Sequence, residues 1–207
     1  MAVLSVFLEK FSCFHSGLIK STFLESPSIA SKIAALAPPK EDQDIIKERR
    51  MEYYRYMSDI SGPAVAVIED IDYPDCIGAY WGEINTKVHK AFGLSGALTN
   101  GVVRDLGDLA EDFPVVAGSI GPSHGFVHVR EIDTKVSFFG ISISPNDLIH
   151  ADLHGAVIIP KAVIDSLKDA IQKLFASEKL ILDPARRKDF NFDDFKRAWE
   201  DFEKSRT

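Results

Sequence analysis

The spacing of apolar residues changes character at Ser61-Gly62-Pro63. Before that point the spacing is helical. Ser26-Pro27 reads as a cap with proline at the first helical position. Ile29, Ile33 and Leu36 continue a helical stripe until Pro38-Pro39 ends it. A second helix is predicted over residues 41–60, with Ile45, Ile46, Tyr53, Met57 and Ile60 on its apolar face. Lys47, Glu48, Arg49 and Arg50 form its solvated face. Residues 1–61 therefore read as a helical N-terminal extension, expected to pack across a subunit boundary.

After Pro63 the pattern is mixed. Ala64-Val65-Ala66-Val67-Ile68 is a continuous apolar run, as in a strand buried on both faces. Asp70, Asp72 and Asp75 follow around Tyr73-Pro74 and read as a solvated turn, because no glycine organises them into a calcium loop. Residues 76–81 end a strand, and Gly82 opens a helix that carries Ile84, Val88 and Phe92 on one face and stops at Gly93. With the apolar strand from Ser95, residues 63–100 make a βαβ unit. Strands are expected at 114–117, 125–132 and 135–143, then a pair at 148–152 and 156–159 around Leu153-His154-Gly155. Pro160 starts a helix to about residue 178 with Val163, Leu167, Ile171 and Phe175 in register, and 180–188 reads as a connector. Asn191 caps a last helix whose stripe is Phe195, Trp199 and Phe202. The domain reading is an extension over 1–61, an α/β core over 62–178 and a second helical extension over 179–207.

Composition narrows the function. The chain has 207 residues, 45% of them hydrophobic, enough for a substantial core. A net charge of −7 does not suggest a nucleic-acid surface. Cys13 and Cys76 form no metal-type pair, and a reducing cytoplasm fits them. The apolar start of the chain is broken at once by Glu9-Lys10, so no signal peptide is expected, and no run is long enough for a membrane span.

The candidate chemistry lies in residues 95–108. The strand turns at Asn100-Gly101, where glycine suits a sharp exit. Arg104 and Asp105 follow side by side, with Asp108 three residues on. Arg104 offers a planar fork that matches a carboxylate. Asp105 offers hard oxygens for a divalent cation. The competing reading is an exposed arginine followed by Asp105 as a helix N-cap, with Asp108 favourable to the helix dipole. Free N–H groups at the helix start near Gly82 would attract an anion facing the same pocket. His150 and His154 have the spacing of some zinc helices, but they fall on a strand-turn-strand segment where the side chains would not converge.

Gly82-Glu83, the run Gly96-Ala97-Leu98-Thr99-Asn100-Gly101-Val102-Val103-Arg104-Asp105, Pro114-Val115-Val116-Ala117, and residues 145–160 from Pro145-Asn146-Asp147 to Pro160 resemble, in their order and spacing, the RraA-like family. That family includes the 4-hydroxy-4-methyl-2-oxoglutarate aldolases and the regulator of ribonuclease activity A. The resemblance spans about residues 62–178. It implies a swivelling β/β/α-type fold, here an α/β core with N- and C-terminal helical extensions, assembled as homotrimers or homohexamers. It further implies a magnesium ion, or another divalent cation such as manganese, at Asp105, with Asp108 as the partner of metal-bound water. Arg104 would hold the pyruvyl group, and the amides of Glu83, Ile84 and Asn85 after Gly82 the substrate carboxylate. The resemblance also implies an acid from a neighbouring subunit, which has no match here. Two departures stand out. Pro145-Asn146-Asp147 replaces the usual Pro-Gly-Asp, a change that asparagine's tolerance of positive φ allows. Tyr80 and Trp81 are expected to narrow the pocket.

The expected activity is that of a cytoplasmic, metal-dependent lyase that releases pyruvate from a 2-oxo acid, with oxaloacetate decarboxylation through the same enolate. The alternative is a non-catalytic protein that binds and regulates a ribonuclease. A third reading keeps the metal and changes the acyl pocket. No nucleic-acid or membrane partner is expected.

Overall fold

The structure, a computed structural model, describes residues 26–152 and 154–206. The described residues fall into two compact units, 26–161 and 162–206. The helical reading of residues 1–25 lies outside them.

The first unit is built on a seven-stranded mixed sheet ordered β12-β11-β1-β2-β4-β6, with β8 also paired to β1. Its strands are β1 (Ser26–Ala34), β2 (Ala64–Asp70), β4 (Leu94–Thr99), β6 (Val115–Val116), β8 (His128–Ile132), β11 (Leu148–Asp152) and β12 (Gly155–Ile159). A small parallel sheet holds β3 (Ala79–Trp81), β5 (Val102–Val103) and β7 (Ser119–Ile120). Strands β9 (Val136–Phe138) and β10 (Ile141–Ile143) form a separate hairpin. Helices α1 (Gln43–Ser58) and α2 (Glu83–Ala91) complete the unit. The second unit contains α3 (Ile164–Ala185) and α4 (Phe192–Arg206).

The predicted βαβ unit is present, with β2 and β4 parallel and α2 between them. Alternation along β2 explains its unbroken apolar run. Ala64, Ala66 and Ile68 enter one core cluster with Tyr53, Met57 and Trp81, whereas Val65 and Val67 enter another with Leu98, Ile143 and Ile149. Gly93 takes φ 90° after α2, and Asn146 takes φ 68° in the turn before β11. Asn191 accepts hydrogen bonds from the N–H groups of Asp193 and Asp194, so it caps α4 as expected.

Three expectations are corrected. Residues 26–34 are a strand, not a helix, and they are central: β1 pairs with β2 in parallel and with β11 and β8 antiparallel. Ile29 and Ile33 face one core and Ala30 the other. A spacing of four satisfies both the helical period and the strand period of two, which is why the stripe misleads. The sheet unit thus draws on residues from both sides of 61/62. Next, residues 135–143 are a hairpin, because Phe139 and Gly140 turn the chain with φ 49° and 83°. Finally, α3 runs through 178 and the supposed connector to Ala185, as Leu180-Ile181-Leu182 prolong its apolar stripe past Glu178. Among the described residues no helix is long and apolar enough to cross a membrane.

Candidate active site

The site is set up by the crossover from β4 to β5. Asn100 accepts from the Asp70 N–H at 2.7 Å and donates to the Asp70 carbonyl at 3.0 Å, which stitches the end of β4 to the end of β2. Gly101 is required for space, not for an unusual φ. A Cβ there would lie 3.0 Å from Asp70 Cβ and Oδ2. Strand β5 then pairs beside β3, and the Arg104 N–H donates to the Trp81 carbonyl at 2.9 Å.

Arg104 folds its side chain back over β3. Its Nη1 donates to the Ala79 carbonyl at 3.1 Å, and its Nε lies 3.3 Å from Asp105 Oδ2. Asp105 sits at φ 55°, in the left-handed region that side chains avoid. That conformation turns its carboxylate toward the start of α2, where Oδ2 accepts from the Glu83 N–H at 3.1 Å. Strain of this kind persists where surrounding contacts hold it. Here those contacts are the Asp108 N–H, which returns to the Asp105 carbonyl at 2.9 Å, and Thr86 Oγ1, which accepts from the Ala110 N–H at 3.0 Å.

Gly82 is where the pieces meet. A Cβ on it would fall 2.6 Å from Asp105 Oδ2 and 2.9 Å from Arg104 Cζ. Gly82 has no side chain to cap α2, so the cap is Asp105, supplied from the other loop. The N–H groups of Ile84 and Asn85 belong to the first turn and have no acceptor within the helix; Thr86 is the first whose N–H bonds back, to Gly82.

The structure thus brings Gly82, Glu83, Arg104 and Asp105 into contact. Ile84 is exposed beside them, at 68%. Asn85 turns its amide to the Tyr80 carbonyl, and Glu83 is ion-paired to Lys87. Asp108 lies on the same turn as Asp105 with its side chain in solvent. No helix follows Arg104, so the reading of Asp105 as a helix N-cap with Asp108 at the helix dipole is corrected; residues 106–108 form a turn. Tyr80 and Trp81 do not narrow the pocket: both are buried in one core cluster with Tyr53, Met57 and Phe113, because both faces of β3 are covered. Trp81 packs against His89, ring centroids 4.6 Å apart.

Sequence reasoning missed two supports. Buried His89 links Tyr53 Oη, at 2.8 Å from its Nε2, to the Asn85 carbonyl, at 2.6 Å from its Nδ1, and burial pushes its pKa down to about 4. Asp70 is 1% exposed, and burial pushes its carboxyl above the usual range. The sequence reads it as part of a solvated turn, yet its carboxyl is buried beside the Cys76 thiol and its neighbour Asp72 accepts from the N–H groups of Ala35 and Leu36. The polar residues at a strand exit, Asp70 and Asn100, were the available signal.

Among the described residues no group of three or more His, Cys, Asp or Glu side chains is arranged to hold a metal. His154 contacts Asp152 at 3.2 Å and forms no such group with His150. The donor set at Asp105 is one partly exposed carboxylate with a second on the same turn. It fits a small hard cation that keeps most of its water, and it does not fit a dehydrated all-protein cage.

A family model for RraA-like proteins, described as Aldolase/RraA, matches residues 43–158, more than half of the chain. The chain belongs to the RraA-like family. An uncharacterized protein of Methanocaldococcus jannaschii is 30% identical to this RraA-like chain over 105 residues, 50% of each protein. A putative 4-hydroxy-4-methyl-2-oxoglutarate aldolase of Halalkalibacterium halodurans is 27% identical over 107 residues, 51% of each. The RraA-like chain therefore spans about half the length of these two relatives. Its fold is shared with a Streptomyces coelicolor protein described as an unusual member of the RNase ES inhibitor RraA family, with a TM-score of 0.59 and 19% identity over 86% of this chain and 90% of that one.

Proposed function

We propose that this RraA-like protein is a divalent-cation-dependent lyase that cleaves a C–C bond of a small 2-oxo acid and releases pyruvate. The observation that carries the reading is the contact at Gly82: a guanidinium, a carboxylate and the open amides of a helix start share one point. The aldolase name of one relative supports it.

The amides of Ile84 and Asn85, at the positive end of α2, take the substrate carboxylate. The Arg104 guanidinium lies alongside and opposes the negative charge that grows on the 2-oxo oxygen as the bond breaks. Its two anchors, the Ala79 carbonyl and Asp105, fix it before substrate arrives, so little reorganisation is needed. A magnesium ion held by Asp105 would supply Lewis-acid polarisation of the 2-oxo group. Asp108, in solvent on the same turn, moves the proton between the hydroxyl or carbanion centre and water. The same arrangement suits oxaloacetate, whose loss of CO2 puts charge on the same oxygen. The reading carries with it a homotrimer or homohexamer, as the family resemblance implies.

Assays of oxaloacetate and 4-hydroxy-4-methyl-2-oxoglutarate test it, with magnesium, with EDTA and with Asp105→Ala. Turnover is expected only with the cation and the carboxylate. Turnover indifferent to both EDTA and the substitution would overturn the reading. The fold shared with the Streptomyces coelicolor protein supports a second reading, a protein that regulates a ribonuclease. Capture of ribonuclease E by a catalytically silent chain would favour it.

A further inference from the structure

Helix α2 turns polar side chains to the interior. Its fully buried residues are Thr86 and His89, where an amphipathic helix ordinarily buries apolar ones. A buried polar group costs free energy unless it is bonded, and a bonded buried network holds a single arrangement. Thr86 Oγ1 donates to the Gly82 carbonyl and accepts from the Ala110 N–H, each at 3.0 Å. His89 Nδ1 stands 2.6 Å from the Asn85 carbonyl, which can only accept, so Nδ1 carries the proton. Burial keeps the ring neutral, so Nε2 is the acceptor, and the Tyr53 hydroxyl donates to it at 2.8 Å. Tyr53 belongs to α1 and is 1% exposed, and the Tyr80 hydroxyl of β3 lies beside its own.

Strand β3 sets the other side of the site. Its successive carbonyls take the groups that build the binding point. Ala79 accepts from the Arg104 side chain, Tyr80 from the side-chain amide of Asn85, and Trp81 from the Arg104 N–H. The guanidinium and the first turn of α2 are therefore spaced by one short strand whose residues are all buried. Asn85 ties that turn to β3, and His89 ties it to α1.

We infer that Tyr53 and His89 are positioning residues: they hold the first turn of α2 in register with β3, so that the amides of Ile84 and Asn85 and the Arg104 guanidinium meet one 2-oxo acid at a fixed spacing. The inference rests on the reading of the α2 start as the carboxylate site. Neither residue touches the substrate. The carboxylate is held alike before and during bond cleavage, so loosening these amides weakens binding and spares the chemical step. That separates the pair from Arg104 and Asp105, whose loss lowers turnover itself.

Two readouts test it, one of them without a ligand. Hydrogen exchange read by mass spectrometry follows the α2 start, and steady-state kinetics with oxaloacetate and magnesium give KM and kcat separately. The full chain is compared with Tyr53→Phe, which deletes a single hydroxyl, with His89→Phe, and with His89→Asn, which returns an N–H to the place of Nδ1. Tyr56→Phe, on α1 but bonded to Asp133, is the control. Tyr53→Phe and His89→Phe are expected to speed exchange over residues 84–88 several-fold. They should also raise KM roughly tenfold and leave kcat within about twofold. His89→Asn should recover most of both changes, and Tyr56→Phe should show neither. Exchange at 84–88 indifferent to both Tyr53→Phe and His89→Phe overturns the inference, whether or not the chain turns over a substrate. So does a lower kcat at unchanged KM, the mark of a smaller folded fraction. A wild-type chain inert toward 2-oxo acids would sink the lyase reading, and the exchange response would still decide for or against the clamp on α2.

Discussion

Asp70 and Asp105 flank the same crossover, about Gly101, and do opposite work. Asp70 is sealed at the end of β2, where one oxygen accepts from the Asp72 N–H and the carboxyl lies beside the Cys76 thiol. Its backbone is gripped on both sides by Asn100. Asp105 is half in solvent, and its Oδ2 meets an arginine and a helix-start amide. The buried acid is committed to architecture and is uncomfortable as a charge. The exposed acid retains access to solvent and ligand, and its strained backbone is tolerated because the loop around it is tied down. A carboxylate's neighbours, more than its spacing in sequence, decide which role it takes.

Substitutions can break this contrast. The largest effect is expected at Asp105. Asp105→Ala should lower turnover of a 2-oxo acid by roughly 100-fold or more, while thermal unfolding shows only about 1 kcal/mol lost with the cap. Gly82→Ala should come next, because the added methyl displaces the Arg104–Asp105 pair. Turnover is expected to fall by up to about 100-fold, since a misplacement of about 1 Å is enough. Asn100→Ala should do the reverse of Asp105→Ala. It leaves the Asp70 N–H unpaired and takes one of two donors from the Asp70 carbonyl, which keeps the Tyr73 N–H, costing about 2 kcal/mol in urea unfolding, while turnover per folded molecule changes least.

The smallest effect is at Asp70 itself. Its folded pKa is raised, so between the unfolded value and the folded one the folded state binds more protons. Its contribution to stability therefore falls as pH rises through that window. Asp70→Asn keeps the acceptor for the Asp72 N–H and removes the charge, so it should raise stability at neutral pH and flatten that decline. Unfolding curves across pH check it; a variant less stable than wild type at neutral pH would mean that the charge is used.

The parts of the fold written in local signals were legible. The β2–α2–β4 unit follows from an apolar run, a glycine-started helix and a glycine stop, and Asn191 and Asn146 did what asparagine does at a cap and in a left-handed turn. The strand β1 was not legible, because Ile29 and Ile33 fit two periods and only the pairing with β2, β8 and β11 decides between them. The neighbouring positions Arg104 and Asp105 were visible, but the reason for Gly101 and the grip of Asn100 on Asp70 join residues about thirty apart and leave no local trace. Tyr80 and Trp81 misled for a similar reason: nothing in three residues says that both sides of β3 are covered.

The central claim is that the guanidinium of Arg104, the carboxylate of Asp105 and the helix start at Gly82 form one binding point for a 2-oxo acid. Calorimetric titration of pyruvate with magnesium present, into wild type, Arg104→Lys and Asp105→Asn, tests it most directly. The account predicts binding to the wild type and affinities weakened about tenfold or more in both variants, since a lysine lacks the planar fork and an amide lacks the charge. Equal affinity in all three proteins would contradict it.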